Sequence, residues 1–125
     1  MGKKVIVVDD SKTVRDQVRS TLEGAGYHVI EAVDGHDGFS KIRDTADLAM
    51  AICDVNMPGL TGIAMLEEMR SKGVNPELPV LMLTTEGEPA LMQKAKLLGA
   101  KGWLVKPFKP DQLVAVVTRI ARTTT

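Results

Sequence analysis

The sequence predicts an α/β fold in which a parallel sheet is covered by helices on both faces. Two observations carry this expectation. Short apolar runs rich in β-branched residues recur along the chain, beginning with Val5-Ile6-Val7-Val8. Runs of that kind suit strands buried on both faces of a parallel sheet. Between the runs, apolar residues return at helical spacing, so strand and helix alternate five times over.

The first run stops abruptly at Asp9-Asp10, and Ser11 is placed to cap the helix that follows. Val14, Val18, Leu22 and Ala25 give that helix its apolar face, and Gly24 and Gly26 its stop signal. Residues 28–33 read as a second strand and Asp34-Gly35 as a turn. Phe39 and Ile42 mark a short second helix. Leu48 to Cys53 is the third strand, ended by Asp54, and Pro58-Gly59 and Gly62 form the next loop. Ile63, Leu66 and Met69 mark a third helix. Pro79 opens the fourth strand, Val80 to Leu83, which ends at Thr84. Residues 89–98 read as a helix ended by Gly99, and Lys101 to Val105 as a fifth strand ended by Lys106-Pro107. Leu113, Val116, Val117 and Ile120 mark the last helix.

Composition narrows the function classes. The chain has 125 residues, the size of one domain with room for a sizeable core. Lys plus Arg and Asp plus Glu are 16 each, a net charge of zero. That balance offers no general attraction to nucleic acid or to an anionic membrane. The run Val5 to Val8 is too short for a signal peptide, and no stretch approaches a membrane span. Cys53 is the only cysteine, so no internal disulfide forms, which fits a reducing cytoplasm. Cys53 and the methionines Met65, Met69, Met82 and Met92 read as core fillers. His28 and His36 lack metal-ligand spacing.

The reactive residues stand where the strands end. Asp9-Asp10, Asp54, Thr84 and Lys106 each close an apolar run. In open parallel sheets, ligands bind beyond the carboxyl ends of the strands, where the strand order reverses. With the order 2-1-3-4-5, strands 1 and 3 are neighbours and Asp9, Asp10 and Asp54 crowd together. Carboxylates so close raise a pKa or recruit a cation. Mg²⁺ suits such a site, since it takes one or two carboxylates, keeps waters and accepts phosphate oxygens. A lysine and a hydroxyl at neighbouring strand ends supply donors to a phosphoryl group. Each residue also has an ordinary reading: Asp9-Asp10 as helix-start acids, Asp54 as a loop carboxylate, Thr84-Thr85 as a capping pair, Lys106 as a solvated lysine. The four together favour a shared site.

Asp9-Asp10, Asp54-Val55-Asn56-Met57-Pro58-Gly59, Leu83-Thr84-Thr85-Glu86 and Lys106-Pro107-Phe108 together resemble the response-regulator receiver family. The resemblance spans essentially the whole chain. Asp9 through Arg15, and the lack of residues for an output domain, resemble its single-domain chemotaxis members in particular. The resemblance implies a flavodoxin-like (βα)5 doubly wound sheet in order 2-1-3-4-5, with residues 1–125 forming one receiver domain. It implies that Asp54 takes a phosphoryl group from a histidine kinase. Asp10 and Asp54 would bind Mg²⁺ directly, Asp9 through water, and Asn56 through its backbone carbonyl. Lys106 would pair with the phosphoryl group, Thr84 would move to hydrogen-bond it, and Lys106-Pro107 would be a cis peptide. Asn56 and Glu86 would tune dephosphorylation. Trp103 stands where the family has a switch aromatic, usually Tyr or Phe. It reads either as that switch or as a packed surface aromatic whose indole N–H needs a partner. The implied partners are a chemotaxis-type histidine kinase, a flagellar motor switch protein and a phosphatase. The implied state is a cytoplasmic monomer that turns over no outside substrate. An alternative is a stand-alone receiver serving as a phosphate sink or regulating another target.

Two other classes fit less well. An aspartyl-phosphate phosphohydrolase would want a second acid two positions after its nucleophile, and Asn56 stands there. A flavin or nucleotide module would want glycines after the first strand, where the sequence is Asp9-Asp10-Ser11-Lys12.

Overall fold

The computed structural model describes residues 3–56, 61–85 and 89–123. Its elements run β1 (Lys4–Val8), α1 (Lys12–Gly24), β2 (His28–Ala32), α2 (Gly35–Asp44), β3 (Leu48–Asp54), α3 (Gly62–Lys72), β4 (Val80–Thr84), α4 (Pro89–Leu97), β5 (Gly102–Val105) and α5 (Pro110–Thr123). The five strands are parallel and lie in the order β2-β1-β3-β4-β5. This is the doubly wound order expected from the sequence.

The sheet has a core on each face, as the unbroken apolar strands require. Ile6, Val8, Ala51, Cys53, Val80 and Met82 point to one side, where Ile42, Met65, Leu66 and Met69 of α2 and α3 cover them. Val5, Val7, Met50, Ile52, Leu81 and Leu83 point to the other, under Val18 and Leu22 of α1 and Leu113, Val117 and Ile120 of α5. Each large aliphatic side chain buried this way contributes roughly 1.5–3 kcal/mol relative to exposure. The two layers hold the strand ends at fixed spacing.

The helix boundaries have identifiable causes. Ser11 caps α1, its hydroxyl accepting from the Val14 N–H at 3.3 Å. Thr61 caps α3 in the same way, accepting from Ala64 at 3.1 Å. Gly73 ends α3 with φ 63° and Gly99 follows α4 with φ 93°, left-handed conformations that glycine adopts without penalty.

Two local expectations are corrected. Asp34-Gly35 is not a reverse turn: Asp34 is the N-cap of α2, accepting from the Asp37 N–H at 2.8 Å, and Gly35 is already helical. Asp-Gly satisfies a helix cap as well as a turn, and Asp37 secures the cap by accepting from the Val33 N–H at 3.0 Å. Met92, expected in the core, is exposed on α4, whereas Met65, Met69 and Met82 are fully buried.

Candidate functional site

The strand registers bring the reactive residues to one edge. Val8 of β1 pairs with Cys53 of β3, so Asp9 and Asp54 emerge side by side. Asp54 pairs with Leu83 of β4, and Thr84 follows at the end of that strand. Thr84 pairs with Val105 of β5, so Lys106 emerges next to it. The Lys106 N–H donates to the Thr84 carbonyl at 2.6 Å, and the Val55 N–H to the Leu83 carbonyl at 2.8 Å.

Asp9, Asp54 and Thr84 are the buried polar residues among those described, with Asp9 wholly inaccessible and Asp54 4% exposed. Asp9 has its polar groups committed. Its N–H donates to the Ala32 carbonyl at 3.1 Å. Its Oδ1 accepts from the Ser11 N–H at 2.8 Å, and its Oδ2 accepts from Lys106 Nζ at 3.0 Å. Its carbonyl accepts from Arg15 Nη1 at 2.7 Å. Lys106 Nζ also lies 3.4 Å from Asp54 Oδ2, so one ammonium serves two buried carboxylates. The other Asp54 oxygen, Oδ1, accepts from the Asn56 N–H at 3.2 Å. Burial pushes the Asp54 carboxyl above its ordinary range, and the Asp9 charge pushes the same way. Lys106 and the Asn56 N–H act against them.

Asp10 lies at the same edge but is exposed, and one carboxylate oxygen each of Asp9, Asp10 and Asp54 falls within a 4.8 Å group. Three acids with one ammonium leave an excess of negative charge. Oxygen donors of differing exposure fit a hard divalent cation that keeps part of its water shell. Of the three, Asp10 is exposed, Asp54 is almost wholly buried and Asp9 is wholly buried.

The remaining candidate residues divide. Asn56 is exposed beside Asp54. The Lys106–Pro107 peptide is cis. Glu86 lies outside the described residues, as do Met57, Pro58 and Gly59. Trp103 of β5 pairs with Met82 and packs against the α2–α3 core; its Nε1 is buried with no hydrogen-bond partner among the described residues. Its ring also lines a groove with Pro89, Met92 and Lys96 of α4. His28 and His36 are exposed and remote from the strand-end acids in sequence. Cys53 is wholly buried, and burial pushes its thiol well above the ordinary value, which leaves it unionised.

Sequence reasoning gave no site role to Arg15 or Glu31, and it read Gly62 as a loop residue, whereas Gly62 is the first residue of α3. Arg15 Nε lies 3.0 Å from Glu31 Oε1, and Arg19 Nη1 2.8 Å from Glu31 Oε2. Gly62 packs so closely on the Asp54 carbonyl that a side chain there would collide with it. No local spacing signals either feature, because each depends on a contact between separate elements.

Residues 5–118 match the family model of the response regulator receiver domain. Among curated proteins, chemotaxis protein CheY1 of Helicobacter pylori is 39% identical over 111 residues, 88% of this chain and 90% of that protein. The phosphate regulon transcriptional regulatory protein PhoB of Pseudomonas aeruginosa is 30% identical over 124 residues, 99% of this chain but 54% of that protein. Among solved structures, the chemotaxis protein CheY4 of Vibrio cholerae superposes with a TM-score of 0.89 at 41% identity, covering 96% of this chain and 99% of that one.

Proposed function

The chain belongs to the response-regulator receiver family, and from that premise we propose that it accepts a phosphoryl group on Asp54 from a histidine kinase and then changes its affinity for a target. The observation that carries the reading is the Asp9–Lys106–Asp54 cluster. It presents a buried carboxylate that shares one ammonium with a second buried carboxylate at the strand ends.

The chemistry follows from these groups. An Asp54 carboxylate oxygen attacks the phosphorus of the kinase phosphohistidine; the P–N bond breaks, and the leaving imidazole nitrogen keeps the bonding pair and is available to a proton. The product is an acyl phosphate. Mg²⁺, when bound by Asp10, Asp54 and the Asn56 carbonyl, would neutralise charge on the transferring group. Lys106 is already shared between two carboxylates, so it needs only to turn to pair with a phosphoryl oxygen. The Thr84 hydroxyl would take a second oxygen, drawing the end of β4 inward. Trp103, three residues before Lys106 on β5 and paired with Met82 of β4, would respond through that shift. No outside substrate is turned over in this scheme.

The target we favour is a flagellar motor switch protein, with the exchange taking place in the cytoplasm and the receiver acting as a monomer. What supports this choice is the similarity to chemotaxis proteins across nearly their full length. A phosphatase, and tuning of hydrolysis by Asn56 and Glu86, belong to the same proposal. A second reading is a stand-alone receiver that drains phosphoryl groups or regulates a non-motor target; the likeness to part of a transcriptional regulator favours a target outside the motor.

Titration with a peptide from the N-terminal segment of a motor switch protein, followed by Trp103 fluorescence, separates these. Beryllofluoride with Mg²⁺ stands in for the phosphoryl group on Asp54. Tighter binding with beryllofluoride supports the motor reading. A beryllofluoride response of Trp103 without peptide binding moves the target elsewhere, and no response at all contradicts phosphorylation at this site.

A further inference from the structure

Arg15 makes a bridge between the acid pocket and the neighbouring strand. Its Nη1 donates to the Asp9 carbonyl at 2.7 Å and its Nε to Glu31 Oε1 at 3.0 Å. The side chain is 12% exposed. Glu31 is itself held in place: Arg19 Nη1 donates to its other carboxylate oxygen at 2.8 Å, and Lys41 Nζ to its carbonyl at 2.7 Å. The Asp9 carbonyl belongs to the peptide that joins Asp9 to Asp10. Its orientation sets the direction in which the Asp10 Cα and carboxylate leave the strand. The Asp9 N–H and side chain are fixed by Ala32, Ser11 and Lys106. Only the carbonyl end of that residue depends on Arg15.

We propose that Arg15, braced by Glu31, is a positioning residue that aims the Asp10 carboxylate for divalent cation binding. The inference rests on the cation role given above to the three acids. Arg15 touches neither cation nor phosphoryl group; it acts through one peptide plane.

The sign of the effect distinguishes positioning from charge. Arg15 is a cation beside three acids, so removing its charge would by Coulomb attraction alone tighten Mg²⁺ binding. Removing a group that orients a ligand weakens it, commonly by tenfold or more. The test is a Mg²⁺ titration followed by the backbone amide shifts of Asp9, Asp10 and Asn56, in wild type, Arg15→Met and Arg15→Lys. The expected result is half-saturation at about tenfold higher Mg²⁺ in Arg15→Met. Arg15→Lys keeps the charge but has one ammonium for two acceptors at opposite ends of a guanidinium, and falls between. Half-saturation in Arg15→Met equal to or below wild type overturns the proposal. If Arg15→Met does not fold, Arg15→Lys decides, and wild-type affinity there overturns it. A wild type with no saturable Mg²⁺ response removes the cation reading itself, and the inference with it.

Discussion

Lys106 Nζ stands 3.0 Å from Asp9 Oδ2 and reaches on to Asp54 Oδ2 at 3.4 Å. One ammonium is divided between two buried carboxylates, so the pocket is left short of positive charge.

Replacing Asp54 by Asn should stabilise the fold at neutral pH. Burial and Asp9 raise the Asp54 pKa, so the folded state holds this proton more tightly than the unfolded chain. Stability associated with Asp54 is therefore present below the unfolded pKa and lost as pH rises through the folded one. Asp54→Asn removes that loss. Thermal melts should show a gain of about 1 kcal/mol at neutral pH, shrinking as pH falls into the acid range. Phosphoryl uptake should be abolished in the same protein.

Lys106→Ala should act in the opposite direction. Removing one partner of a buried pair leaves uncompensated charge, which costs about 3 kcal/mol. Asp9, with no access to water, bears most of it. Denaturant unfolding should show the loss at neutral pH.

Glu31 carries a pH dependence of the other sign. Its hydrogen bond from Arg19, then that from Arg15, holds its carboxyl below the ordinary range in spite of some burial. The stability it contributes is present above the unfolded pKa and lost as pH falls through the folded one. Glu31→Gln should cost about 1 kcal/mol at neutral pH. The difference from wild type in parallel melts should close in acid.

Gly62→Ala should damage the site without touching its chemistry. An added Cβ meets the Asp54 backbone carbonyl, which cannot swing aside as a side chain can, and then the Met82 methyl at 3.2 Å. The strain should cost about 1–3 kcal/mol. Slower phosphoryl uptake, measured in protein shown to be folded by circular dichroism, should accompany it, because α3 then presses on the nucleophile's own residue.

The alternation of apolar runs with helical spacing was enough to read the five strands, the five helices and the two-sided core. The pattern is local and repeats over every element. Asp9, Asp54, Thr84 and Lys106 were legible as a group because each ends such a run. Asp34-Gly35 was misread because the same side chain caps a helix and starts a turn. Met92 was misread because α4 buries only Ala95 fully, so a helical spacing of apolar residues there does not mark a covered face. The contacts of Arg15, Glu31 and Gly62 at the site were not legible in the sequence. Their roles depend on α1 meeting β2 and the end of β1, and on α3 meeting the end of β3, contacts that no spacing along the chain encodes.

The most direct test of the central claim is transfer from a phosphorylated histidine kinase to this chain in Mg²⁺, read by intact mass and by mapping the modified residue. The account predicts one phosphoryl group per chain, labile as an acyl phosphate, located on Asp54, and absent from Asp54→Asn and from wild type in chelator. Equal labelling of Asp54→Asn, or stable labelling at a hydroxyl residue, would contradict it.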